Sequence, residues 1–230
     1  MARRYEDVLG QLIDVLAEGR FVAGEWLPSE RHLAEWLGSG RGAVREAVRA
    51  LQLRGIVDVV PGRGQRVLAT DRWDLHDTDV LLARAEHGRM PGVVGEAIVA
   101  RATVEREAAS LATRHATPGD LALLRERLDE MDRATALAQR SSERDDPFVT
   151  GEAWFHHTLV LLSRNRVMAT MSERLHLALA AIRHRHAPSR EGAALRQHRR
   201  VLEGVSSREA ELAVDAVDGY ARQLSLWLPD

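Results

Sequence analysis

Apolar residues recur at helical spacing along most of this chain, and the departures from that spacing fall in one short stretch near the N-terminus. Val8, Leu9, Leu12, Ile13, Val15 and Leu16 share one side of a helix expected over Tyr5 to Glu18. Gly19 and Gly24 bracket a loop. Pro28 and Ser29 then open a second helix with Ser29 as N-cap, and Leu33, Ala34 and Leu37 form its inner face. Gly38-Ser39-Gly40 breaks it. A third helix runs from Arg41 to Leu53 with Val44, Ala47, Val48 and Leu51 inward, and Gly55 ends it. Only here does the period change. Ile56 to Val60 and Gln65 to Leu68 are β-branched or apolar, and Pro61-Gly62-Arg63-Gly64 lies between them, which predicts a hairpin with a turn at its tip.

The helical period then returns. Thr70 to Asp79 is acidic and polar, so we expect residues 1–70 as one domain, 71–79 as a linker and 80–230 as a second, all-helical domain. Helices are expected over Val80 to Glu86, Val93 to His115, Gly119 to about Arg140, Phe148 to Ser163, Val167 to Arg185, Ala193 to Glu203 and Ser207 to Leu228. No strand pattern or repeat appears there, which predicts a helical bundle. His157 faces away from the inner side of its helix. Arg183, His184, Arg185 and His186 read as a solvated helix end.

Composition narrows the function classes. No apolar run approaches the roughly 18 residues that would span a bilayer, and the N-terminal residues lack the uninterrupted apolar stretch of a secretory signal. A cytoplasmic protein is expected, with no membrane partner. The chain has no cysteine, which excludes disulfides, cysteine-ligated zinc and thiol nucleophiles. Its net charge of −2 does not suggest a nucleic-acid binder, but the distribution does. Between Arg41 and Arg54, four Arg stand against one acid, Glu46. All 32 basic residues are Arg, the side chain best suited to bidentate contact with phosphate or guanine.

Arg41, Arg45 and Arg49 follow at four-residue steps and share the helix face opposite the apolar one. A helix, a Gly-rich turn, a basic helix and a glycine-tipped hairpin are the parts of a winged helix-turn-helix, whose partner is double-stranded DNA. The detailed pattern resembles the GntR family of bacterial transcription regulators. The matching residues are Leu27-Pro28-Ser29-Glu30-Arg31, Leu33-Ala34, Gly38, Arg41, Val44-Arg45-Glu46-Ala47, Leu51, Gly55 and Gly62-Arg63-Gly64. The resemblance implies that Arg31, Arg41 and Arg45 contact major groove and phosphate, and that Gly62, Arg63 and Gly64 form the wing tip at the minor groove. Arg49 and Arg66 are weaker DNA-binding candidates. Glu46 is expected to orient a neighbouring Arg or to cap structure. Where the family usually has Ser or Thr, this chain has Gly40, so a hydroxyl that could cap the recognition helix is missing.

Residues 75 to 228 resemble the FadR-type (FCD) effector-binding domain of one GntR branch. The resemblance rests on Arg101 with Glu105, Phe155-His156, Asn165 after Leu162-Ser163, and His198 ahead of Val201-Leu202. It implies an effector site containing Arg101, Glu105, Asn165 and Tyr220, with Arg101 clamping a carboxylate. Glu105 is alternatively a structural partner for Arg101. In many such domains an Asp and three His hold a divalent metal. Here the corresponding positions are Glu152, His156, His198 and Tyr220. Two readings stand side by side: a Zn-, Ni- or Mn-type ion on Glu152, His156 and His198, or a metal-free pocket in which His198 and Tyr220 bond the effector directly. The expected fold class is mainly α, a winged helix-turn-helix with a small β-hairpin wing plus an all-helical bundle. The expected function is a homodimeric regulator, a repressor of a palindromic operator, responding to a small carboxylate such as a sugar acid or organic acid. A metal-dependent enzyme on the same three residues is the competing class, and it lacks any further catalytic constellation.

Overall fold

A computed structural model describes residues 2–87, 92–137, 147–186 and 191–228 of the chain. The chain divides into two compact units, 1–90 and 91–230.

The first unit contains α1 (Ala2–Ala17), α2 (Glu30–Trp36), α3 (Arg41–Leu53), β1 (Val57–Val60), β2 (Gly64–Val67), a 3-10 turn at Thr70–Arg72 and α4 (Thr78–Glu86). Its core is aliphatic. Leu12 and Ile13 of α1, Leu33 of α2, and Val44, Ala47, Val48 and Leu51 of α3 meet Ile56, Val57 and Val67 of the hairpin. Ser29 caps α2 through its hydroxyl, which accepts from the His32 N–H at 3.4 Å. β1 and β2 pair antiparallel from Val57 opposite Val67 to Val60 opposite Gly64. The segment around Trp26 extends the ribbon: Leu27 N–H donates to Gln65 C=O, and Val67 N–H donates to Glu25 C=O, both at 2.8 Å.

Gly55, between α3 and β1, has φ +67, and a Cβ there would lie 2.2 Å from the Arg72 carbonyl oxygen. Only glycine fits such a left-handed, backbone-crowded position. This close approach draws the segment after β2 inward. Trp73 is buried and donates from Nε1 to Leu68 C=O. Asp77 binds Arg54 Nε at 2.8 Å and caps α4 by accepting from Asp79 and Val80 N–H groups. Val80 and Ala83 complete the core. Residues 71–79, expected to be a linker, therefore pack within the first unit, and the division falls between residues 90 and 91.

The second unit is helical throughout its described residues: α5 (Val93–His115), α6 (Pro118–Leu137), α7 (Pro147–Leu162), α8 (Arg166–His186), α9 (Glu191–Ser207) and α10 (Ala210–Trp227). Leu124, Leu128 and Met131 of α6, Phe155 and Leu159 of α7, Leu195 of α9, and Ala213 and Val217 of α10 share one core. Helices α9 and α10 cross closely: a Cβ on Gly204 would lie 2.5 Å from the Ala213 nitrogen. Among the described residues, no helix is long and apolar enough to cross a membrane.

Candidate functional site

The first unit presents the basic face that its sequence pattern predicts. Arg41, Arg45 and Arg49 are exposed on α3, while Val44, Ala47, Val48 and Leu51 are buried on the other side. Glu46 holds Arg49 Nη1 at 3.0 Å, so it does orient a neighbouring Arg. Arg31 is exposed on α2, with its Nη2 3.1 Å from His32 Nε2. Arg54 turns away to Asp77 and leaves the basic face. Gly40 is the N-cap of α3 and makes no side-chain capping bond. At the hairpin tip Gly62 and Gly64 have φ values of +75 and +109, and the exposed Arg63 lies between them. Arg66 on β2 lies over the Trp26 ring at 5.9 Å and 3.7 Å from Asp58.

The second unit buries a polar cluster drawn from five helices. On α5, Arg101 and Glu105 are one turn apart and almost wholly buried, with Arg101 Nε 3.5 Å from Glu105 Oε1. The same oxygen lies 2.9 Å from His156 Nδ1 of α7 and 3.0 Å from His176 Nε2 of α8. Burial acts to raise the Glu105 pKa, but His156 and Arg101 more than offset it and hold the carboxyl well below the usual range. Glu152, one turn before His156, is bound by Arg183 of α8 through Nε at 2.6 Å and Nη2 at 2.5 Å. Its other oxygen accepts the Tyr220 hydroxyl of α10. Against the upward pull of burial, Arg183 and the neighbouring imidazoles bring Glu152 down to about 2. Burial and the adjacent carboxylate push the Tyr220 phenol upward, so it stays a neutral donor.

The histidine hydrogen bonds fix where the protons lie. Burial, reinforced by His156, pushes His198 of α9 down to about 3, so its ring is neutral. Its Nδ1 faces the Ala194 carbonyl at 2.6 Å and must donate, leaving Nε2 as an acceptor. That Nε2 lies 2.9 Å from His156 Nε2, which therefore donates to it. Nδ1 of the same His156 ring lies 2.9 Å from a Glu105 carboxylate oxygen. His176 is also neutral, pushed down to about 4 chiefly by burial. Two guanidinium groups, Arg101 and Arg183, thus lie beside two carboxylates, Glu105 and Glu152. Tyr220 stacks on His156 with ring centroids 5.4 Å apart and carries the Arg101 guanidinium over its face at 5.0 Å. Arg101 Nη1 is buried and makes no hydrogen bond.

Most of the expected site residues come together here: Arg101, Glu105, Glu152, His156, His198 and Tyr220. Glu152, His156 and His198 offer ligand atoms within 4.8 Å of one another, the spacing of a cluster able to gather around an ion. Asn165 does not join them. It is exposed, and its amide oxygen caps α8 by accepting the Val167 and Met168 N–H groups at 3.1 Å. Arg183 is the clear correction. Expected at a solvated helix end, it is fully buried on Glu152. The side chains of His184, Arg185 and His186 lie outside the described residues. His176 and Arg183 were missed although their spacing was informative: Ser172, His176, Leu179 and Arg183 follow at steps of four, three and four, the period of one inward helix face.

Comparison with known proteins agrees with both halves of this description. The model of the gntR family of bacterial regulatory proteins matches residues 4–67, and the FCD domain model matches residues 96–222. The galactonate operon transcriptional repressor of Escherichia coli (strain K12) is 32% identical over 116 residues, which span 50% of this chain and 51% of that protein. The Glc operon transcriptional activator of the same strain is 26% identical over 234 residues, covering 97% of this chain and 89% of that one. The repressor NanR of Salmonella newport (strain SL254) is 27% identical over 227 residues, covering 96% and 83%. The solved structure of Lar, which controls expression of the Listeria monocytogenes agr system, has a similar fold. Its TM-score is 0.70 at 17% identity, and the match covers 97% of this chain and 95% of that one. The matched relatives are transcriptional regulators, not enzymes.

Proposed function

The chain belongs to the gntR family of bacterial regulatory proteins and carries an FCD domain, and from that premise we propose that it is a cytoplasmic repressor released from its operator by a small carboxylate. Arg31, Arg41 and Arg45 read major groove and phosphate, Arg49 adds a phosphate contact, and Gly62, Arg63 and Gly64 approach the minor groove. The exposure of these residues beside a buried opposite face supports that assignment. A homodimer would place two such heads on a palindrome, as two-fold symmetry requires. Repression is the sign found in the galactonate-operon relative and in NanR, whereas the Glc-operon relative is an activator.

One observation carries the effector reading: a buried cluster in which Arg101 lies beside Glu105 and Arg183 beside Glu152, with Arg101 Nη1 lacking a hydrogen bond. A buried guanidinium donor without an acceptor is costly, and an entering anion supplies one. A carboxylate suits the planar guanidinium fork of Arg101. Sugar acids and small hydroxy acids would add hydroxyls for His176 Nδ1, a buried nitrogen with no hydrogen bond, to accept.

A thermal-shift screen of sugar acids and organic acids, each beside its uncharged alcohol or amide analogue, tests the proposal. An effector acid should raise Tm by several degrees through mass action while its uncharged analogue does not. Stabilisation by neutral analogues alone would overturn the carboxylate assignment.

A further inference from the structure

The FCD resemblance implies a metal on Glu152, His156 and His198, and their ligand atoms do converge. The set does not fit an ion, because each of these atoms is already committed. Glu152 Oε2 holds two nitrogens of Arg183, and Oε1 accepts the Tyr220 hydroxyl. Where related domains carry Asp and a third His, this chain carries Glu and Tyr. The additional methylene of Glu152 delivers its carboxylate to both partners, and an Asp would stop short of them. His156 and His198 turn their Nε2 atoms toward each other at 2.9 Å, a hydrogen-bond separation with the proton between them. A divalent ion would have to break the His156–His198 hydrogen bond and the Arg183 pair, and add positive charge beside the buried guanidinium groups of Arg101 and Arg183. Each change is expensive in a buried site.

We propose that Arg183 is a built-in cation occupying the electrostatic role that a metal ion plays in related domains, so that this effector site works without metal. The guanidinium anchors Glu152, and Tyr220 completes the anchor from the opposite oxygen. Together they hold the α7 helix so that His156 stays aligned between Glu105 and His198. The inference rests on residues 96–222 being an effector domain, but not on the identity of the effector. Its test uses neither DNA nor effector, so the two readings fail separately.

Three proteins suffice for the test: the wild-type chain, Tyr220→His, and the double variant Arg183→Met/Tyr220→His. Each is purified without added metal, assayed by elemental analysis, and then melted with and without Zn²⁺, Ni²⁺ or Mn²⁺. The wild type and Tyr220→His should contain no stoichiometric metal and show no metal-dependent rise in Tm. The double variant removes the competing cation and supplies a third imidazole. It should take up one ion per chain and gain several degrees in Tm, or fold only when metal is present. One tightly bound ion per wild-type chain would overturn the proposal. So would a metal response of Tyr220→His equal to that of the double variant, because Arg183 would then exclude nothing. Should the double variant fail to fold even with metal, the wild-type and Tyr220→His results still decide the question.

Discussion

Arg45 and Arg183 show what a single residue discloses through its sequence neighbours. Arg45 stands four positions from Arg41 and from Arg49, opposite a buried face, and the structure leaves all three exposed. Arg45→Ala should weaken binding to a duplex selected by the wild-type protein by about 1–3 kcal/mol, the range for loss of a bidentate base contact. Anisotropy titration would measure it, and unchanged affinity would remove Arg45 from the recognition face. Arg183 lies in a run of Arg and His that looks solvated when read locally. Its burial follows from residues two and three turns earlier, His176 and Ser172, and from an acid 31 positions away, Glu152. A long-range ion pair leaves no local trace in a single sequence. Arg101 and Glu105 were legible because both members of the pair lie on one helix turn. Asn165 misled for the opposite reason: Asn after a helix end suits either a ligand contact or an N-cap, and here it is the cap.

At the level of elements, helix type and order were legible from the apolar period, and the hairpin from its glycine tip. The packing of residues 71–79 was not. Their acidic, polar character suggests a linker, yet Trp73 and Asp77 are anchored by Leu68 and Arg54. Two glycines make the element-scale account testable. Gly40→Ser would restore a capping hydroxyl at an extended N-cap with open space for a Cβ, and it should stabilise the first unit by a few tenths of a kcal/mol. Denaturant melts would detect a rise in midpoint, and a fall would show that the hydroxyl is not accommodated. Gly204→Ala has the opposite expectation. Its Cβ would meet the Ala213 backbone where α9 and α10 cross, and the second unit should lose about 1–3 kcal/mol. A neutral result would mean that the two helices separate without cost.

The whole molecule joins a cationic surface in one unit to a buried cluster of charged and polar side chains in the other. That cluster also makes stability depend on pH. His176 and His198 titrate near 4 and 3 when folded, against an ordinary value of 6.5. Between those values the unfolded chain binds more protons at these two rings, so their contribution to folding stability falls as pH drops below about 6.5. Each histidine contributes a slope of at most about 1.4 kcal/mol per pH unit. Glu152, lowered to about 2 from 4.5, extends the loss to more acid conditions. Raising the pH above 7 should leave these contributions unchanged, and a chain that gained stability between pH 6.5 and 4.5 would contradict the neutral state of both rings. The central claim is that an anion in this cluster controls DNA binding. Its most direct measurement is anisotropy of a labelled duplex, selected from a random pool by the wild-type protein, during titration with a panel of sugar acids and hydroxy acids. We predict that at least one acid releases the wild-type chain, and that Arg101→Ala binds the duplex with the same Kd but no longer responds to that acid. Release of Arg101→Ala at the wild-type acid concentration would contradict the account, as would DNA binding by the wild type that no acid in the panel alters.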